Sequence, residues 1–200
     1  MPFDLILAMA VFASVMAFTP GPNNIMLAAS GVNFGFMRTI PHMSGVTVGF
    51  FVLQAACAAG LGVVFVAVPA LHVVLKIAGT IYMLWLAFRV ATARLPDEDE
   101  AAGGDPLTFM QGAAFQWINP KAVVAAVSAI ALFVRPDHQI VDIPVMLVVF
   151  TLTTIGSVVT WSAFGVALRG LLRRPSHARM FNIAMALLLV VSIVPMVKSS

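Results

Sequence analysis

The chain has 200 residues, 61% of them hydrophobic and 10% charged, with a mean hydropathy of +1.03. A soluble domain averages roughly 45–50% apolar and about 25% charged residues, so an ordinary soluble fold is excluded. The net charge of +3 and pI near 9.6 do not point to nucleic acid, because the basic residues cluster beside apolar segments rather than forming a soluble basic face.

Apolar windows of ~20 residues fit membrane helices rather than the shorter alternating strands of a barrel. Six are predicted, at roughly 3–31, 40–68, 70–93, 108–134, 141–169 and 177–197. The only charge before Arg38 is Asp4, so the first window lacks the basic start of a signal peptide and is kept as a membrane segment. It is interrupted by Thr19-Pro20-Gly21-Pro22-Asn23-Asn24. Pro20 and Pro22 each remove a backbone donor, and Gly21 is expected to let the chain turn. The second window opens at Pro41 and carries Gly45-x-x-x-Gly49, with Gly60 and Gly62 beyond, a pattern for close helix packing. Its Cys57 is the single cysteine, read as a packing residue, which leaves no disulfide, redox pair or thiolate metal site.

A short turn near Pro69 leads to the third window, where Lys76 lies near one end and Tyr82 and Trp85 are belt or packing residues. His42 and His72 are placed at segment ends, which argues against a proton role for either. Residues 94–106 contain Asp97, Glu98, Asp99, Glu100 and Asp105 with Gly103 and Gly104, and read as a flexible linker. The fourth window is broken at Asn119-Pro120-Lys121, with Pro120 one hundred positions after Pro20. Pro144 opens the fifth as Pro41 opens the second.

Three segments, a polar linker and three more make two halves, 1–93 and 108–200, joined by 94–107. An odd number per half forces the second to enter the membrane inverted. The expected fold is therefore an all-α integral membrane protein of six transmembrane helices, two inverted three-helix repeats with broken helices 1 and 4. Arg38, Arg89, Arg94, Arg169, Arg173, Arg174 and Arg179 fall on one side, with Arg135, Lys198 and Lys76 assigned to the other. The positive-inside bias makes the first group cytoplasmic. The expectation is a multi-pass protein of the cytoplasmic (inner) membrane with both termini outside.

Broken helices at matching places of a duplicated membrane chain point to a transporter's central site. Backbone groups freed in mid-bilayer cost several kcal/mol each, roughly, unless buried or lining a polar cavity. The half-helix starting near Asn23 offers N–H groups to a carboxylate. The preceding one is expected to offer carbonyls near Ala17 and Phe18 to an ammonium, so an amino acid fits both. Lys121 lies ~18 Å into its segment, near mid-bilayer. A lysine there costs ~3 to over 10 kcal/mol, which makes it a functional candidate. It is expected to neutralise a substrate carboxylate or to titrate during the cycle. A single kink is more often structural, and a buried lysine can merely pair with a helix end; two matched, asparagine-rich breaks reverse that balance. No catalytic triad, carboxylate pair, phosphate loop or histidine cluster appears at membrane depth, so neither enzyme activity, cofactor nor metal is expected.

The segments FTPGPNN (18–24) and FMQGAAFQWINPKA (109–122) resemble the signature stretches of LysE/RhtB-type amino-acid exporters, and LKIAGTIYMLWLA (75–87) is similar to the family's third-segment pattern. The resemblance implies a cytoplasmic-membrane exporter of amino acids or derivatives, driven by the proton motive force, with Pro20, Gly21, Pro22, Asn23, Asn119, Pro120 and Lys121 in its central site. Ala87 stands where the family often has Gly, and Ala122 to Ala126 is Val/Ala-rich where aromatics are usual. No acidic residue falls in mid-membrane, which favours a neutral substrate over a basic one. The partners expected are an amino-acid substrate, protons and the bilayer, with the glycine-bearing faces as candidates for a homodimer contact. Two rival readings are a non-transporting membrane assembly partner and an ion transporter of a related fold.

Overall fold

A computed structural model of the chain describes residues 1–62, 69–93, 105–170, 172 and 175–194, all helices and short connections with no strand among them. Helix α1, Phe3–Phe18, ends where the N–H and hydroxyl of Thr19 both turn back to the Val15 carbonyl, at 3.1 and 2.7 Å. Pro20 has no donor with which to continue the ladder. Helix α2, Pro22–Phe34, restarts with proline at its first position, where the missing N–H costs nothing. Gly35, at φ +80°, ends α2 and starts α3, Phe36–Ala56; that left-handed backbone is glycine's. A π-helical turn, Cys57–Leu61, follows, with Gly60 at φ +112°. A Cβ on Gly60 would meet nothing within 4 Å among the described residues, and its positive φ is what favours glycine there.

Helix α4 runs Pro69–Thr92. Helix α5, Phe109–Ile118, opens with a reciprocal capping box between Thr108 and Gln111. Helix α6, Pro120–Phe133, restarts after Asn119. A short 3-10 turn, Pro136–His138, precedes α7, Gln139–Arg169, and α8 is Pro175–Val191. Phe36–Leu61 and Pro136–Arg169 are each long and apolar enough to cross a membrane. The α1–α2 and α5–α6 pairs reach that length only together, bent by 55° and 66° at the two breaks, while the apolar parts of α4 and α8 are shorter.

Some sequence expectations shift. Pro41 and Pro144 lie inside α3 and α7 rather than opening them, and His42 moves with Pro41 into the second turn of α3, where it is buried. Linker residues 94–104, with Arg94 and the acidic run Asp97 to Glu100, lie outside the described residues, as do Arg173, Arg174, Lys198 and the side chains of His72 and Lys76.

Two crossings at one end of the bundle are built on absent side chains. A Cβ on Gly31 of α2 would run into the Ser162 carbonyl of α7, and one on Gly165 into that of Ala28. Between α3 and α5, a Cβ on Gly45 would strike the Phe109 carbonyl, and one on Gly49 the backbone of Ala113. Glycine lets such backbones touch, the main source of helix association where lipid is as apolar as the side chains. These glycine faces are thus covered within one chain rather than free for a second copy. The other end packs through larger side chains, with Met9, Phe133, Met146 and Phe150 buried together and the Phe12 and Phe133 rings 5.6 Å apart. Charges mark both ends. Arg38 and Arg89 converge on Asp105, and Arg169 lies beside Gly35, at the glycine-crossed end. Arg135 pairs with the buried Asp142, at 2.8 Å, at the opposite one.

Candidate functional site

The breaks at 19–22 and 119–120 face each other across a cavity of about 70 Å³. Gly21, Pro22, Asn23, Asn24, Asn119 and Lys121 line it, together with Ala13 and Met16 of α1, Phe50 of α3, Gln116 of α5, Ala125 of α6, and Phe150, Thr154 and Ser157 of α7. Of the sequence candidates, Thr19 reaches the site as a partner of Lys121, and Pro20 and Pro120 act through the backbone they interrupt.

The carbonyl end of α1 is already occupied. Asn24 Nδ2 donates to the Ala17 carbonyl at 2.7 Å and to that of Thr19 at 2.9 Å. Ser157 donates to Ala17 from α7 at 2.6 Å. Lys121 Nζ donates to the Thr19 carbonyl at 2.7 Å and to its hydroxyl at 2.9 Å. Of the carbonyls near Ala17 and Phe18 expected to be free, that of Ala17 is taken for a physical reason: unpaired carbonyls at membrane depth are expensive, and the chain supplies its own donors. The lysine reaches across because Gly21 has no side chain. A Cβ there would lie 3.0 Å from Lys121 Cδ and 3.1 Å from Nζ. Gly21 sits at φ −171°, ordinary extended backbone, so it is needed for space rather than for the turn assigned to it from sequence.

The N-terminal ends of the resumed helices differ. Asn119 caps its own helix, accepting from the Lys121 N–H at 3.2 Å, while its N–H donates to the Phe115 carbonyl at 2.9 Å. The first turn of α2 has no side-chain cap. Its N–H groups and positive dipole end remain available to an anion.

In the cavity wall, Asn23 and Gln116 form a reciprocal amide pair, at 2.8 and 3.2 Å, joining the two breaks. Gln116, fully buried, also donates to the Gly112 carbonyl. Sequence reasoning missed Gln116 and Ser157. A glutamine one turn before a break in an apolar helix was a usable signal, since such an amide demands a partner; a serine in α7 among several hydroxyl residues was not.

The family described as LysE type translocator matches residues 14–196. Curated relatives include the cysteine/O-acetylserine efflux proteins of Escherichia coli (strain K12), Escherichia coli O9:H4 (strain HS) and Shigella sonnei (strain Ss046). Each is 32% identical over 190 residues, 93% of this chain and 94% of the relative. No solved structure matches the chain.

Proposed function

This chain belongs to the LysE type translocator family and is a multi-pass membrane transporter rather than an enzyme, and on that premise we propose that it exports small neutral amino acids or their derivatives from the cytoplasm, coupled to protons. The observation that carries this is the position of Lys121 Nζ, held 2.7 Å from the Thr19 carbonyl inside a cavity lined by both breaks. A cation bound at the carbonyl end of a half-helix marks where a substrate ammonium would sit. The α2 N-terminus facing it is suited to the carboxylate. An incoming amino acid displaces Lys121 from Thr19, and the freed ammonium neutralises the substrate carboxylate. That exchange keeps one positive charge at the α1 end and brings another to the carboxylate. It matches a zwitterion with an uncharged side chain, as cysteine and O-acetylserine in the relatives' names are.

Alternating access between two inverted three-helix repeats is the transport cycle this reading implies. The repeat is supported by the two bends and by Pro41 and Pro144, which fall at the same offset inside the helix after each broken pair. The glycine crossings lie toward the end carrying Arg38, Arg89 and Arg169. By the positive-inside bias that end is cytoplasmic, with both termini outside and the membrane the inner one. A cysteine introduced as Asp99→Cys in a Cys57→Ala background should label only from the cytoplasm; labelling from outside reverses the topology.

The test is efflux of labelled cysteine, O-acetylserine and a panel of other amino acids from preloaded cells expressing wild type or Lys121→Met, with and without a protonophore. Efflux that is specific to the wild type and abolished by the protonophore is the expected result. No efflux of any panel member, with the protein present in the membrane, overturns the reading in favour of an assembly role.

A further inference from the structure

The structure contains a second cavity, of about 60 Å³, at the charged end of the bundle. Ser30 and Asn33 of α2, His42 of α3, Leu86 and Arg89 of α4, and Asp105 line it. None of the break residues that line the central cavity reaches it. The Asn23–Gln116 amide pair belongs to the wall of the central cavity, and Gly112 packs against His42 at the second, where a Cβ would stand 2.9 Å from the His42 carbonyl.

Most polar groups here are already committed. Ser30 shares a hydrogen bond with Thr39 at 2.8 Å, and Asn33 forms a reciprocal pair with Asn182 at 3.1 Å in each direction. His42 is the exception. It is 1% exposed, and neither ring nitrogen has a partner among the described residues. Burying a polar ring without a partner is unfavourable, and this cavity is the place from which a hydrogen-bonding group can reach it. At the same cavity Arg89 spends one donor on the Asp105 carbonyl, at 2.7 Å, and lies over the Trp85 ring at 5.2 Å, which leaves further N–H groups of its fork available. The Asp105 carboxylate, 88% exposed, meets Arg38 through one oxygen at 3.1 Å. The cavity thus brings together a guanidinium, a carboxylate and a hydrogen-bonding ring.

We propose that this cavity is a second binding site, taking a small zwitterionic α-amino acid with a hydrogen-bonding side chain before it passes to the breaks. The substrate carboxylate meets Arg89, the ammonium meets Asp105, and the side chain reaches His42. The proposal rests on the exporter reading above and adds to it an entry site on the face from which export begins. Two sites in series make the half-saturating concentration on that face a property of this cavity, while the opposite face reads the central one.

The experiment uses the full chain in everted membrane vesicles, with labelled O-acetyl-L-serine and L-cysteine as probes, and counterflow from the opposite face in right-side-out vesicles. Arg89→Gln should raise the half-saturating concentration on the everted face about tenfold, the loss of one charged contact, and leave the counterflow half-saturation at the wild-type value. Arg89→Lys should recover part of the loss, and His42→Phe, which keeps the ring volume and removes its nitrogens, should raise the same concentration by a smaller factor. Equilibrium binding to purified Lys121→Met protein provides a readout free of transport: residual probe binding should persist there and weaken about tenfold when Arg89→Gln is added. Unchanged half-saturation in both Arg89→Gln and His42→Phe would overturn the site and leave the cavity holding water alone. Equal rises on both faces would assign these residues to the fold. If wild-type vesicles move neither probe and purified Lys121→Met binds neither, the exporter reading and this site fall together; if that protein binds a probe although nothing is transported, the site stands and the exporter reading falls.

Discussion

The two breaks share a design and differ in how completely they satisfy themselves. Each ends one helix, restarts the next on proline and bends the chain, by 55° and by 66°. At the second break one residue is enough: Asn119 closes α5 with its N–H and caps α6 with its side chain. At the first break the backbone of Gly21 opens α2 without any side-chain cap, and the carbonyl end of α1 depends on Asn24, on Ser157 from α7 and on Lys121 from α6. A break that is complete by itself serves as a rigid lever, and this one carries Lys121. A break completed from outside can be completed differently when a ligand arrives, so the first break is where occupancy should change.

Removing the lysine is the hardest test of that division. Lys121→Met should lower efflux roughly a hundredfold or more, the scale of losing a charged hydrogen-bonding partner in the site, with membrane abundance preserved. Efflux at the wild-type level would show that the second break delivers nothing. Gly21→Ala should act in the same direction more weakly, about tenfold, because its Cβ meets the flexible end of Lys121 rather than backbone. Gly165→Ala separates function from folding. Its Cβ meets the Ala28 carbonyl, which cannot move aside, and the residue lines neither cavity, so membrane abundance should fall while efflux per molecule changes little. Equal efflux per molecule in Gly21→Ala and wild type would release Lys121 from the position described.

The breaks were legible in the sequence because proline, asparagine and lysine are costly in an apolar run and stand out for that reason. The partners that complete the first break were not, since they arrive from distant helices: Gln116 joins Asn23 across 93 positions and Ser157 joins Ala17 across 140. Prolines misled where they are tolerated. Pro41 and Pro144 read as helix boundaries, yet both sit in the second turn of a helix, where the missing N–H removes one ladder bond without ending the helix. That error also put His42 at a segment end, when α3 begins at Phe36 and buries it. Gly21 was recognised for the wrong property, because a one-dimensional reading sees conformational freedom and not the lysine chain that needs its space.

Stability should separate Asn24 from Asn119, two of the asparagines that line the cavity. Asn24→Ala removes two donors, at 2.7 and 2.9 Å, from a residue that is 6% exposed, at an expected cost of ~1–3 kcal/mol. Asn119→Ala removes a helix cap, worth about 1 kcal/mol. Thermal unfolding in detergent should therefore rank Asn24→Ala below Asn119→Ala, and the reverse order would make the second break the more dependent of the two.

The smallest expected effect bears most directly on what Lys121 senses. Thr19 offers it a carbonyl at 2.7 Å and a hydroxyl at 2.9 Å, and Thr19→Val removes the second while keeping shape and the first. If the helix-end carbonyl sets the position of the ammonium, Thr19→Val should cost only about 1 kcal/mol, roughly a fivefold loss of efflux, and Thr19→Ser should restore it. A loss in Thr19→Val as severe as in Lys121→Met would mean that the hydroxyl defines the cation site. The broken helix would then be only its scaffold, and the contrast between the two breaks would rest on one side chain rather than on their backbones.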